Sequence, residues 1–232
     1  MSNPNPMADY WENRISTWEV SVYDQGPSVP LLDRIASPFR RILRERLERT
    51  IDLVSTRVAG RSVVDCGCGS GKLLFRLLAF KPSRLVGVDI APSAIERANA
   101  ILNAEETLHG IQLPISFQCV DLRQTVDVLD GADLVIGIGF LDYLSPEEFG
   151  FLASALRGKE FLFSFPERRV SARELVHRVY LLLAHCPGAH KYSRREASEI
   201  LHNAGITDFW FDDRNNLRFV TNLPRSVIEA ST

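Results

Sequence analysis

Between positions 63 and 73 the chain reads Val63-Val64-Asp65-Cys66-Gly67-Cys68-Gly69-Ser70-Gly71-Lys72-Leu73. An apolar strand runs into an acid and three alternating glycines, and a helix is predicted to follow. Glycine admits positive φ and lets a ligand approach the backbone with no Cβ in the way. Amides at the start of the next helix can receive a polar ligand end. Two better-known loops fail here. The phosphate-cradling pattern G-x-x-x-x-G-K-[ST] meets Cys66 at its first glycine and Leu73 at its hydroxyl position. The dinucleotide pattern G-x-G-x-x-G, started at Gly67, meets Lys72 at its last glycine. What stands is Asp65-x-Gly67-x-Gly69-x-Gly71, with more glycine than a plain strand-to-helix turn requires. Candidate proton-transfer groups lie further along the chain at Asp142, Tyr143, His185 and His190. His177 and His202 fall inside predicted helices and read as surface or packing residues.

These groups need elements to hold them. Residues 1–8 are expected to be a disordered tail, and residues 9–62 a helical segment. Tyr10, Trp11, Trp18 and Tyr23 cluster before the turn signals Gly26, Pro27 and Pro30. Phe39, Leu43, Leu47, Ile51, Val54 and Val58 then recur with the spacing of one helix face. Arg40, Arg41, Arg44, Arg46 and Arg49 lie among them beside Glu45 and Glu48. They read either as a solvated face or as a rim that attracts an anionic substrate. From residue 63 to 232 strands and helices alternate, giving a single domain overall. Strands are predicted at Ser62–Asp65, Leu85–Asp89, Ile115–Val120, Ala132–Ile138 and Lys159–Phe165. Helices are predicted over 72–80 and over 92–103, the latter with Ile95, Ala98, Ile101 and Leu102 on one face. Ser145-Pro146-Glu147-Glu148 opens another with a capping box and proline at the first turn. Ser171–Glu174 and Ser193–Glu196 are two more capping boxes, and Gly205 ends the last helix. Thr207–Phe211 and Leu217–Leu223 are strand-like runs. Their join is too short for a crossover helix, so they pair antiparallel. The expected class is α/β, a mostly parallel sheet with helices on both faces and an antiparallel hairpin at its C-terminal side.

Composition narrows the function. The chain has 232 residues, 45% hydrophobic and 24% charged, with net charge -2. A near-neutral balance supplies no global attraction to phosphate backbones or anionic membranes. Cys66, Cys68, Cys119 and Cys186 lack paired zinc or disulfide spacing, and the five histidines and the acids show no ligand spacing, so no metal is expected. The apolar runs fall far short of the roughly 20 residues that span a bilayer. With no leader pattern at the N-terminus, the expected compartment is the cytoplasm.

Asp65, Gly67, Gly69 and Gly71 resemble the first motif of the class I S-adenosylmethionine-dependent methyltransferases, and the likeness extends over about residues 60 to 223. It implies a Rossmann-like seven-stranded sheet, S-adenosylmethionine as cofactor, and an N-terminal helical lid. Asp89, ending Leu-Val-Gly-Val-Asp-Ile, then falls where an acid accepts from both ribose hydroxyls. Asp121, ending Phe-Gln-Cys-Val-Asp-Leu, falls where an acid accepts from the adenine amino group, with a helix or turn cap as its other use. Ile90 and Leu122 would cover the two faces of the adenine. Gly137, Gly139 and Phe140 would border the methionine end. Lys72 departs from the small or hydroxyl residue commoner in the family, and its cation opposes the helix dipole.

The acceptor is less constrained. Gly139-Phe140-Leu141-Asp142-Tyr143 lacks the [DN]-P-P-[YF] signature of enzymes that methylate DNA amines or glutamine. The resemblance therefore implies transfer to an oxygen or nitrogen of a small molecule. His190, Tyr143 and Asp142 are the candidate catalytic residues. The rival readings are an RNA methyltransferase, supported by the arginine-rich helix, and a protein that binds S-adenosylmethionine without turning it over. Family members often dimerise, and no residue here decides whether this chain does.

Overall fold

In the first strand Val63 and Val64 are both fully buried yet belong to different cores. Successive strand side chains face opposite ways, so this sheet is covered on both sides. The structure is a computed structural model. It describes residues 6–12, 31–168, 190–213 and 217–225, without the side chains of 6–8, 31–43 and 123. The Ser171–Glu174 capping box, Trp18, Tyr23, His177, His185 and Cys186 lie outside the described residues.

Seven strands form one sheet: β1 (Ser62–Cys66), β2 (Arg84–Asp89), β3 (Ile115–Cys119), β4 (Leu134–Gly137), β5 (Glu160–Ser164), β6 (Trp210–Asp212) and β7 (Phe219–Thr221). Their order is β3-β2-β1-β4-β5-β7-β6. The first five pair parallel, and β7 lies antiparallel between β5 and β6. This is the expected α/β class with its antiparallel hairpin. The helices are α1 (Pro6–Glu12), α2 (Leu31–Val58), α3 (Lys72–Leu77), α4 (Pro92–His109), α5 (Leu122–Val128), α6 (Pro146–Ala155) and α7 (Arg194–Asn203). Short 3-10 turns follow at Leu78–Phe80 and Leu141–Tyr143.

One face of the sheet packs on α2, α3 and α4 through Leu53, Val54, Leu74, Leu77 and Ala98. The other packs on α6 and α7 through Phe149, Leu152, Ala197 and Leu201. At the sheet's N-terminal edge, Arg57 and Arg61 both bond the carboxylate of Glu160 and so tie the end of α2 to β5. The capping boxes at Ser145 and Ser193 are formed, and Gly205 follows α7 with φ +82°.

Several boundaries differ from expectation. Helix α1 begins at Pro6, inside the stretch expected to be a disordered tail. Helix α4 runs on to His109, where Gly110 stops it at φ +65°. Helix α5 was not anticipated, although Asp121-Leu122-Arg123-Gln124 has capping-box spacing. The Asp121 carboxylate accepts the Gln124 amide at 3.1 Å, and the Gln124 side chain accepts the Asp121 amide at 3.3 Å. Strand β6 starts at Trp210 rather than Thr207 and takes in Asp212. That acid is buried and faces Arg49 of α2 at 3.9 Å, so an ion pair draws a residue expected in the turn into the strand.

Gly87 in the middle of β2 shows how tightly one face is filled. A Cβ there would lie 2.6 Å from the Phe117 ring and 2.7 Å from Cys68 Sγ. A methyl group forced into such packing costs about 1–3 kcal/mol. Gly87→Ala is therefore expected to lower the unfolding free energy by that amount, read as a lower urea midpoint at unchanged m-value, and an unaltered midpoint would show that Phe117 swings aside freely.

Candidate active site

The strand order reverses between β1 and β4, and crevices open at such switch points beyond the carboxyl ends of the strands. The loop after β1 and the loop after β4 border this one. Gly67, Gly69 and Gly71 have φ of +72°, +54° and +81°. Gly67 and Cys68 both donate to the Val88 carbonyl, at 2.8 and 3.0 Å, and Gly71 donates to the Cys68 carbonyl at 2.9 Å. The loop is thus pinned to the end of β2 before it turns into α3. At Gly71 a Cβ would stand 2.5 Å from Phe117 Cζ, so glycine is required there by space as well as by φ.

Asp89 completes the loop. Its Oδ2 accepts from the Gly69 amide at 2.9 Å and its Oδ1 from the Ala91 amide at 3.0 Å. One carboxylate therefore sets both the crest of the glycine loop and the turn into α4. Ile90, next in the chain, is partly exposed at this rim, and its carbonyl receives the Cys119 thiol at 3.7 Å. Asp121 stands at the end of β3 as the cap of α5, exposed, with Leu122 partly buried behind it. The cap use expected as its alternative is the one formed here.

Asp65 lies beneath the loop and is buried. Burial pushes its carboxyl well above the usual carboxylate range, and the charge of Asp89 pushes the same way. Burial and then Asp65 raise the neighbouring Cys66 thiol, which makes it an inert group. Cys119 is also raised, by burial and then by Asp89 and Glu12. The charges of Asp89 and Glu12 both act on Cys119, at a corner of the crevice that suits a cationic ligand.

Across the crevice, Gly139 has φ +71°, and its amide donates to Ser164 Oγ at 2.6 Å. Phe140 turns toward the glycine loop, so that a Cβ on Gly67 would stand 3.1 Å from its ring. Glycine backbone and the Phe140 ring thus face each other between the two loops. The 3-10 turn that follows carries Asp142 and Tyr143. The His190 amide donates to the Asp142 carbonyl at 2.7 Å, and the buried Tyr192 hydroxyl bonds the Leu144 carbonyl. Residues 190–192 thus hold the 141–144 turn and bring His190, Asp142 and Tyr143 together. His202 stays apart on α7, beside Phe209 at 5.2 Å between ring centroids.

Helix α1 arches over this edge. Trp11 meets Tyr143 edge-on at 5.2 Å between centroids and packs on Ala91 and Ala94. Glu12 Oε2 accepts from Ser93 N and Oγ, both at 2.9 Å. Sequence reasoning named Trp11 but missed Glu12 and Ser164, whose partners are far away in the chain. Arg46 of α2 also reaches Gly139: a Cβ there would lie 4.0 Å from its Nη1.

Comparison with known proteins follows the same outline. Residues 63–158 match a family model described as a methyltransferase domain. A ubiquinone biosynthesis O-methyltransferase of Chromobacterium violaceum is 28% identical over 161 residues, 64% of this chain and 66% of that protein. A ribosomal protein L11 methyltransferase of Alteromonas mediterranea is 44% identical over 59 residues, 25% of this chain and 20% of that protein. The chain thus spans just under two thirds of the first relative and a fifth of the second. Among solved structures, a magnesium protoporphyrin IX methyltransferase from Synechocystis superposes with TM-score 0.63 at 18% identity, covering 92% of this chain and 95% of that one. That likeness speaks to the fold.

The raised Asp65 carboxyl has a consequence for stability. A carboxyl that holds its proton more tightly when folded favours folding most in acid, and this contribution falls away as pH rises through the raised value. Asp65→Asn is therefore expected to lose less thermal stability than the parent as pH rises above the ordinary carboxylate range. Parallel melting curves across that rise in pH would show that Asp65 is not held protonated by burial.

Proposed function

We propose that this chain, a member of the class I S-adenosylmethionine-dependent methyltransferases, transfers a methyl group from S-adenosylmethionine to an oxygen or nitrogen of a small-molecule acceptor. The observation that carries the reading is the Asp89 carboxylate at the end of β2, bonded to the crest of a glycine loop that opens on the switch-point crevice. The residues fit the cofactor. Bare backbone at Gly67, Gly69 and Gly71 leaves room for its polar end, and Asp89 stands ready to accept from the ribose hydroxyls. Ile90 and Leu122 would flank the adenine, with Asp121 beside it, and Gly139 would border the methionine end.

When bound, S-adenosylmethionine supplies a methyl group on a positively charged sulfonium. The chain's part is to place the acceptor in line with that methyl and to exclude water. Well-oriented juxtaposition is worth about 7–11 kcal/mol, and a general base about 3–5 kcal/mol, so positioning dominates. The charges of Asp89 and Glu12 favour a cation in this corner. Trp11 and Tyr143 close the edge through which the acceptor enters. His190, Asp142 and Tyr143 are the candidate proton acceptors, and their assembly on one turn supports that role. Relatives bear names that point to different acceptors, among them ubiquinone biosynthesis, ribosomal protein L11 and tRNA U34. The small acceptor is favoured here because Trp11 and Glu12 of α1 reach Tyr143 and Ser93 at the rim, which narrows the approach for a macromolecule.

The test is calorimetric titration with S-adenosylmethionine and S-adenosylhomocysteine, followed by mass spectrometry of a small-molecule acceptor panel for the added methyl. Asp89→Ala is expected to weaken S-adenosylhomocysteine by about 2–4 kcal/mol, the loss of charge-assisted hydrogen bonds. Unchanged affinity would remove Asp89 from the site. Binding without turnover on any acceptor would favour a cofactor-binding protein, and a salt-sensitive RNA shift would favour the RNA reading.

A further inference from the structure

Strand β4 stops one residue short of its partner. The last parallel pair is Gly137 with Phe163, while β5 continues to Ser164. Past that pair the chain leaves the sheet, and Ser164 Oγ accepts the Gly139 amide at 2.6 Å. A side chain thus takes over where the main-chain ladder ends. Ser164 is the one polar residue in Phe161–Phe165, and it is 2% exposed. Two positions after Leu162, it lies on the sheet face that packs on α2, where an apolar residue would fill the core. A buried hydroxyl is costly unless it is bonded, so packing alone does not account for serine at this position.

The strand that carries the hydroxyl is itself fixed. Ser164 pairs with Phe219 of β7, and the Phe165 amide donates to the Arg218 carbonyl at 2.8 Å. Phe140 stacks on Phe163 with 6.5 Å between centroids, and a Cβ on Gly137 would stand 2.6 Å from the Phe163 ring. Rings therefore set Phe140, and the hydroxyl sets Gly139. Gly139 has φ +71°, and a glycine free of that bond would visit other φ as readily.

We propose that Ser164 is a positioning residue for the amino-acid end of the cofactor, a deepening that rests on the methyltransferase reading above. By that reading Gly139 borders this end. Tying its amide to β5 keeps one arrangement of the turn before the ligand arrives, so the ordering cost is not met on binding. The adenosine end belongs to Asp89 and Asp121, at the ends of β2 and β3 on the far side of β1, where Ser164 has no bearing.

The experiment compares the parent protein with Ser164→Thr and Ser164→Val. The two variants have the same shape, both suit a strand, and only threonine keeps a hydroxyl. Circular dichroism melts establish that each is folded at the titration temperature, and Ser164→Ala takes the place of the valine variant if that one is not. Each is titrated with S-adenosylhomocysteine and with 5′-methylthioadenosine, which lacks the amino-acid end. The valine variant is expected to weaken S-adenosylhomocysteine by about 5- to 30-fold and to leave 5′-methylthioadenosine unchanged, while the threonine variant binds both as the parent does. Unchanged affinity for S-adenosylhomocysteine in the valine variant overturns the proposal. So does equal weakening of both nucleosides, since Ser164 would then act through the fold, and so does a threonine variant as weak as the valine one. Failure of the parent protein to bind either nucleoside would instead defeat the methyltransferase reading itself.

Discussion

The bonds from Asp89 to the amides of Gly69 and Ala91 are the contact on which the crevice depends. They join two turns that chain order separates by a strand and a helix. A charged acceptor bonding a backbone amide is worth roughly twice a neutral pair. Two such bonds from one side chain fix the loop's height over the sheet and the starting direction of α4 together. Left-handed glycines at 67, 69 and 71 let Gly67 and Cys68 both reach the Val88 carbonyl before the chain turns into α3.

The rest of the site is built against that fixed loop. Gly71 and Gly87 leave space that the Phe117 ring fills, so the glycine loop rests on an aromatic floor rather than on solvent. On the β4 side, Ser164 of β5 holds the Gly139 amide, and residues 190–192 hold the turn beyond it. Helix α1 bridges both sides, with Trp11 on Tyr143 and Glu12 on Ser93. The glycine loop is thus held by backbone amides, and α1 is held against the rim by side-chain contacts.

Much of this was legible in the residues. The alternating glycines, the acids ending β2 and β3, and the capping boxes at Ser145 and Ser193 are local signals, each readable within a few positions because the physics is local. Helix α5 has such a signal at Asp121 and Gln124, masked in the sequence because the same acid ends a strand. Other features leave no periodic trace. The Asp212 ion pair that shifts β6, the Ser164 bond to Gly139, and the approach of Arg46 to the crevice join residues far apart in the chain. Their partners become identifiable only once the helices have packed on the sheet. The arginine run could be read as a solvated face or as an anion-attracting rim, and its described members divide: Arg49 faces Asp212, Arg44 is exposed and Arg46 reaches Gly139.

The strand order has a bearing on how the molecule is made. Strand β5 is complete at Ser164, yet its partner on that side is β7, at Phe219–Thr221. During synthesis the amides and carbonyls along this edge stay unpaired until more than a whole helix and another strand have left the ribosome. The edge carries Phe161, Leu162 and Phe163, and unpaired apolar strands of this kind are what neighbouring nascent chains and chaperones recognise. The sheet that presents the glycine loop so rigidly in the finished protein is thus assembled around a sticky intermediate, and β7 is the segment whose arrival ends that exposure.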